Sequence, residues 1–279
     1  MQHNRRVRGL LFHRGLKTKP FSRDVGVIFA AKFTTLLDKL VIIPTYNEIE
    51  NVETMIRKVF SLPRDFHILI VDDGGADGTA DKVIELQEEY EGLLHIMQRK
   101  GKQGLGTAYI AGFKWALEKG YQYIFEMDCD FSHNPEDLIR LHEACLNGAD
   151  IAVGSRYKTG INVVNWPIGR VLMSYYASAY VRWITGLKVR DTTAGFVCYT
   201  AEVLKTIELD KIKFKGYAFQ IEMKFTAWKI GFNLEEVSII FYDRTLGQSK
   251  MSSGIFKEAF FGVLDMKVNS WFRKFPRKA

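Results

Sequence analysis

A chain of 279 residues that is 47 % apolar and 25 % charged has the composition of a folded protein with room for a substantial core. Its three cysteines, Cys129, Cys145 and Cys198, are odd in number and form no C-x-x-C, which excludes a disulfide framework and a zinc-ribbon site and fits a reducing compartment. The net charge of +7 points to a polyanion partner only until it is placed along the chain: residues 1–38 hold eight Lys/Arg against Asp24 and Asp38, and the remainder is close to neutral.

Nucleic acid is therefore not the expected ligand of the main domain. Residues 1–38 read as a basic, poorly ordered leader. Its longest apolar run, Val25 to Ala31, is short for a signal-peptide core and has no convincing cleavage site after it. No stretch approaches the roughly 20 apolar residues needed to cross a bilayer.

From residue 39 the pattern alternates. KLVIIP is a short β-branched run, and YNEIENVETMIRKVF carries apolar residues at helical spacing from a start near Asn47 or Glu48. FHILIVDD reads as a second strand ending in acids, followed by the turn GGADG and the helix TADKVIELQEEY. LLHIMQRK is a third strand, GTAYIAGFKWALEKG a helix closed by Gly120, and YQYIFEMD a fourth strand. PEDLIRLHEACLNG is a helix with Pro135 near its first turn and Gly148 at its end, and DIAVGSR a further strand. Such alternation predicts an α/β fold with a mostly parallel sheet and helices on both faces. Ligands of such sheets bind beyond the carboxyl ends of the strands, where Pro44, Tyr46 and Glu48, Asp72 and Asp73, Asp128 and Asp130, and Ser155 and Arg156 fall.

The stretch EMDCDFSHNPED carries the sharpest question. Asp128 and Asp130 at i and i+2 of a strand would share one face, and like charges that close need compensation. Two readings are open: a divalent cation taking both carboxylates, or two solvated loop acids capping the helix that starts near Asn134-Pro135. After Arg156 the texture turns apolar and aromatic. Residues 162–186, broken by Arg170 and Arg182, read as an amphipathic helix, and EEVSIIFYDR as a strand leading into the flexible basic loop TLGQSK. In residues 254–275, Phe256, Phe260, Val263, Leu264, Trp271 and Phe275 recur at helical spacings. They suit either packing on the core or an interfacial helix dipping into lipid with its basic end at the headgroups.

Three other motifs fail. Gly104-x-Gly106 lacks the last glycine of a dinucleotide fingerprint, since Tyr109 stands there, and no P-loop occurs. DGGADG misses a calcium loop at position three (Gly75) and position twelve (Ile84). The histidines lack metal-ligand spacing, with His133 alone lying beside the aspartates.

The collinear set PTYNE, VDDGGADGTA, GLGTAYIAGF, MDCDFSHNPE, GSRY, DTTAGF, GYAFQIEM and DRTLGQSKM resembles the family-2, inverting GT-A glycosyltransferases, and among them the polyprenol-phosphate mannose synthases, over about residues 40–262. The resemblance implies a GT-A domain over 39–250 and a C-terminal amphipathic, membrane-associated segment over 251–279. It implies transfer of mannose from GDP-mannose to a polyprenyl or dolichyl phosphate, on the cytoplasmic membrane face; a UDP-sugar donor is the alternative. Pro44, Tyr46 and Glu48, joined by Val71 and Asp73, would hold the nucleotide. Asp128 and Asp130 would hold Mg2+ or Mn2+ against the diphosphate, with the small Cys129 between them contacting substrate through its backbone. Arg156, Arg244 and Lys250 would face phosphates, and Arg156 or Arg170 the acceptor's. Asp191 is a candidate organiser of metal or acceptor, or simply a turn acid. Gly75, where the family often has serine, removes a hydroxyl and is expected to loosen the turn.

Overall fold

Strand β1 (Lys39–Thr45) alternates its buried side chains between two faces, and that alternation divides the interior in two. Leu40 and Ile42 join one apolar cluster, Val41 and Ile43 the other. The computed structural model describes residues 38–216, 218–244 and 254–278; the leader and the loop containing Lys250 lie outside the described residues. After β1 come α1 (Val52–Phe60), β2 (His67–Asp72), α2 (Thr79–Glu89), β3 (Leu94–Gln98), α3 (Leu105–Lys119), β4 (Tyr123–Glu126), α4 (Asp137–Leu146) and β5 (Ile151–Ser155). The second half adds β6 (Val163–Val164), α5 (Ile168–Thr185), β7 (Val197–Thr200), α6 (Ala201–Thr206), α7 (Ala218–Ile230), β8 (Leu234–Ser238), β9 (Phe241–Tyr242) and α8 (Gly254–Phe272).

The main sheet runs β3-β2-β1-β4-β7-β5-β8, parallel except for β7, which is antiparallel to both neighbours. From β1 the chain winds outward through β2 and β3, then returns to add β4 on β1's other side. That reversal makes a crevice at the carboxyl ends of β1 and β4, where an open sheet offers a ligand site. The expected α/β architecture is thus present.

Local chemistry explains the packing around this crevice. Helix α3 lies close on β1 because Gly112 faces Ile42: a Cβ there would stand 2.9 Å from two Ile42 carbons. Gly106 likewise lets α3 approach α7, where a Cβ would meet the Phe219 ring at 2.8 Å. Helix α7 is buried along its length from Ala218 to Ala227, so it serves as an internal pillar. One expectation shifts: α1 begins at Val52, five residues beyond Asn47, because Asn47 takes a left-handed turn (φ 54°) that ends any helical path through it.

Candidate functional site

Strand β4 stops at Glu126, so Asp128 and Asp130 sit in the loop after it and not on its pleat. Two anchors replace the strand. The Asp128 N–H donates to His133 Nδ1 (3.2 Å), and the His133 ring stacks on Phe196 with centroids 4.8 Å apart. Phe131 turns the chain with φ 59°, and the Ser132 N–H closes onto Asp130 Oδ1 (3.1 Å). Cys129 points the other way, into the core against α4 and the sheet. Burial within the cavity, and then Asp130, push the Asp128 carboxyl up to about 7, although 40 % of its side chain stays accessible. Arg244 Nη2 lies 3.0 Å from Asp130 Oδ2, so the chain itself already sets a cation against the pair. Neither acid caps α4; the helix entry is made by Asn134 Oδ1, which accepts the Glu136 N–H (3.2 Å).

A second cluster forms where β5 ends. Arg156 donates from Nε (2.7 Å) and Nη2 (2.6 Å) to the two oxygens of fully buried Asp191, and from Nη2 to Thr193 Oγ1 (2.9 Å). Burial works against the charge on Asp191, but Arg156 outweighs it and holds the carboxyl below its usual range. Of the roles open to Asp191, the geometry selects that of an anchor for Arg156. Around the guanidinium stand Tyr157, Trp166 and Phe241, with Cζ 5.3 to 5.5 Å from each ring centroid. Arg170 Cζ stands 4.0 Å from the same indole's centroid, and its guanidinium pairs with Asp243 (2.8 Å). One tryptophan therefore meets two guanidinium groups.

A cavity of about 520 Å³ joins the two clusters. Asp128, Asp130, Arg156, Arg170 and Arg244 supply its charged lining. Met173, Tyr176 and Tyr180 of α5 and Phe260 of α8, which stacks on Tyr180 at 4.7 Å, supply apolar and aromatic wall. Sequence reasoning missed Trp166, Phe241, Asp243 and Thr193. Trp166 was visible only as one more aromatic before Pro167.

The remaining candidates gather beside this cavity, at the ends of β1 and β2. Asp73 receives Arg99 Nε (2.6 Å) and the Gln103 N–H (3.4 Å). Glu48 Oε2 accepts from Asn51 (3.1 Å), its own N–H reaches Thr79 Oγ1 (2.9 Å), and its charge is felt at Asp128. Tyr46 is half-buried, with Lys102 Nζ 5.3 Å from its ring centroid. Pro44 pairs in register with Val71, whose side chain is wholly inside the core, leaving only its backbone to a ligand.

Gly75 does not loosen its turn. Asn47 folds over it, accepting the Ala76 N–H on Oδ1 (3.0 Å), and a Cβ on Gly75 would lie 2.3 Å from Asn47 Oδ1 and 2.7 Å from its backbone nitrogen. Restoring the serine is therefore harmful here. Gly75→Ser is expected to destabilise by about 1–3 kcal/mol, the usual result of overpacking. Differential scanning fluorimetry checks this; an unchanged melting temperature would mean Asn47 yields freely.

The family model described as Glycosyl transferase family 2 matches residues 40–207. The chain is 46 % identical over 229 residues to the polyprenol monophosphomannose synthase of Mycolicibacterium smegmatis, covering 82 % of this chain and 86 % of that one. It is 45 % identical over 224 residues to the undecaprenyl-phosphate mannosyltransferase of Micrococcus luteus, covering 80 % and 91 %. Among solved structures, glucosyl-3-phosphoglycerate synthase from Mycobacterium tuberculosis in complex with Mn2+, UDP and phosphoglyceric acid aligns with a TM-score of 0.61 at 16 % identity, over 92 % of this chain and 84 % of that one. That likeness is one of fold, the GT-A fold.

Proposed function

The chain belongs to glycosyl transferase family 2, and from that premise we propose that it transfers mannose from GDP-mannose to the phosphate of a polyprenyl phosphate, with inversion, at the cytoplasmic surface of a membrane. One observation carries the reading: a single cavity is lined both by carboxylates and guanidinium groups and by apolar and aromatic side chains of α5 and α8. A lipid phosphate has that same dual character. Its headgroup suits Arg156 and Arg170, and its first apolar units suit α5 and Phe260. The names of the two mannosyl-transferring relatives support the sugar and the acceptor class.

The acid pair fits a divalent cation, Mg2+ or Mn2+. Among the described residues no cluster of three or more His, Cys, Asp or Glu could hold a metal alone. Two carboxylates suit an ion that takes its other ligands from substrate phosphates and water. When bound, such an ion offsets charge developing on the leaving diphosphate. The protein's own groups do the rest. Asp128 and Asp130 hold the donor side, and Arg244 stands ready for phosphate oxygens. Arg156 and Arg170 orient the acceptor, and the aromatic walls limit water. A phosphate acceptor is already an anionic nucleophile at neutral pH, so no side chain need remove a proton from it.

Helices α5 and α8, which supply part of the cavity wall, leave Ile168, Trp183, Phe261, Trp271 and Phe272 exposed. No helix among the described residues is long and apolar enough to cross a membrane. We assign these side chains to peripheral contact with lipid, where aromatic side chains sit at the headgroup level. The test is a donor panel of GDP-mannose, UDP-glucose and UDP-galactose, with Mg2+ or Mn2+ and polyprenyl phosphate in vesicles, scored by product mass and anomeric configuration. A β-mannosyl product from GDP-mannose alone is expected, with the protein floating with the vesicles. Preference for a UDP-sugar, or an α-linked product, would overturn the assignment.

A further inference from the structure

Lys224 is a lysine with no access to solvent, in the middle of the internal helix α7. Burying an ammonium costs several kcal/mol even after relaxation, so its surroundings must be built to hold it. They are. Nζ donates to the Ala194 carbonyl at 2.6 Å, and to the Gln220 carbonyl and the Gln220 Oε1 at 3.2 Å each. Three N–H groups thus meet three neutral oxygens, which is the full donor capacity of the charged form. No ion pair to Lys224 occurs among the described residues. Its charge is answered one step away, since Gln220 passes a second bond from Nε2 to Glu126 Oε2 (2.7 Å). Burial lowers the ammonium to about 8 and raises the Glu126 carboxyl to about 8, while Glu126 and Asp191 oppose the fall of the ammonium; the three neutral acceptors around Nζ are what suit the charged form.

The place of this cation is informative. Ala194 lies in the segment Asp191–Gly195, which carries both groups that grip Arg156, Asp191 and Thr193. Thr193, Ala194, Gly195 and Gln220 all line the cavity near Arg156. The same relay reaches Glu126, two residues before Asp128, so one chain of hydrogen bonds links the acid pair's strand to the Arg156 segment. Both arginines on this side are already neutralised in part, Arg156 by Asp191 and Arg170 by Asp243. Lys224 adds positive charge behind them without a direct ion pair, its charge facing Glu126, Asp191 and Glu236 at longer range.

We propose that Lys224 is a positioning residue for the anionic acceptor: it fixes the carbonyl of Ala194, and with it the Asp191–Gly195 segment, and sets a positive charge behind the wall on which the acceptor phosphate rests. This rests on the lipid-phosphate reading above. The relevant ligand is an organic phosphate monoester held beside Arg156.

The experiment compares wild type, Lys224→Met and Lys224→Gln. Each is titrated with a short-chain polyprenyl phosphate in detergent micelles and, separately, with GDP in the presence of Mn2+, using calorimetry. Methionine keeps the volume and removes charge and donor; glutamine keeps a donor for Ala194. Lys224→Met is expected to weaken lipid-phosphate binding by roughly tenfold, the scale of one unit charge lost about 12 Å away at an effective dielectric near 20. Lys224→Gln is expected to recover part of that loss, while GDP affinity changes less than lipid-phosphate affinity in both; Lys224→Met is expected to melt lower, since it leaves the Ala194 and Gln220 oxygens without their donor. Equal lipid-phosphate affinity in all three proteins overturns the inference. So does an equal loss of GDP binding, which marks a merely structural lysine. If wild type itself fails to bind the lipid phosphate, the acceptor reading fails first and the inference with it. Should Lys224→Met not fold, Lys224→Gln alone decides by the ratio of lipid-phosphate to GDP affinity.

Discussion

Asp130→Ala is expected to lower mannosyl transfer on the order of a thousandfold, with the fold intact. The carboxylate is nearly buried, accepts the Ser132 N–H and lies 3.0 Å from Arg244. Its removal takes away half of the donor set available to a divalent ion and leaves Arg244 without that partner. The loop backbone is held separately, by His133 on Asp128 and by the buried Cys129, so collapse of the turn is not expected. Asp130→Asn sharpens the test, because it keeps the shape and can still accept the Ser132 bond. If charge on this side chain is what matters, Asn loses nearly as much activity as Ala, and raising Mn2+ recovers little. Turnover close to wild type in either variant, measured with GDP-mannose and polyprenyl phosphate, would remove the metal assignment. The thermal midpoint serves as control. Relief of the crowding between two acids leaves it unchanged or raised, as the elevated Asp128 carboxyl indicates.

The acid pair also shows what a sequence can and cannot convey about a site. That Asp128 and Asp130 would stand at the crevice was legible, because alternating strands and helices fix where strand ends gather. How they are held was not. The strand stops two residues earlier than its apolar run implies, since Phe131 adopts a left-handed backbone and His133 returns to the Asp128 amide. Asn47 and Gly75, 28 positions apart, interlock for reasons that neither local pattern contains. Trp166, Phe241 and Arg156 come from three segments, and only the folded chain places them around one guanidinium. Nothing in the pattern around Lys224 marks it, yet its helix is buried from Ala218 to Ala227 and the charge is internal. Periodicity reports which face is wet; it does not report a polar group that the fold satisfies inside.

Asp191→Ala is expected to be the most damaging single change at the acceptor end, and its effects on stability and on catalysis can be separated. Arg156 and Asp191 form a largely buried, two-pronged pair, with Nε and Nη2 at 2.7 and 2.6 Å from the carboxylate. Removing one partner strands the other's charge, which costs about 3–5 kcal/mol in comparable buried pairs. A melting temperature lower by roughly 10 °C is expected on that basis for a chain of this size. Replacing both partners by apolar residues in Arg156→Met/Asp191→Leu removes the stranded charge and should return most of the lost stability, because the desolvation that opposed the pair is relieved as well. Activity should not return with it. If Arg156 orients the acceptor phosphate, the double variant stays at least about a hundredfold below wild type while melting near it. A double variant that recovers turnover along with stability would show that the pair only props up the loop; one that recovers neither would show that Thr193 and the Trp166 platform need the guanidinium to hold their places. Measuring the melting temperature, kcat and the acceptor KM on the same three proteins distinguishes these outcomes, because only loss of phosphate orientation separates the catalytic constants from the thermal ones.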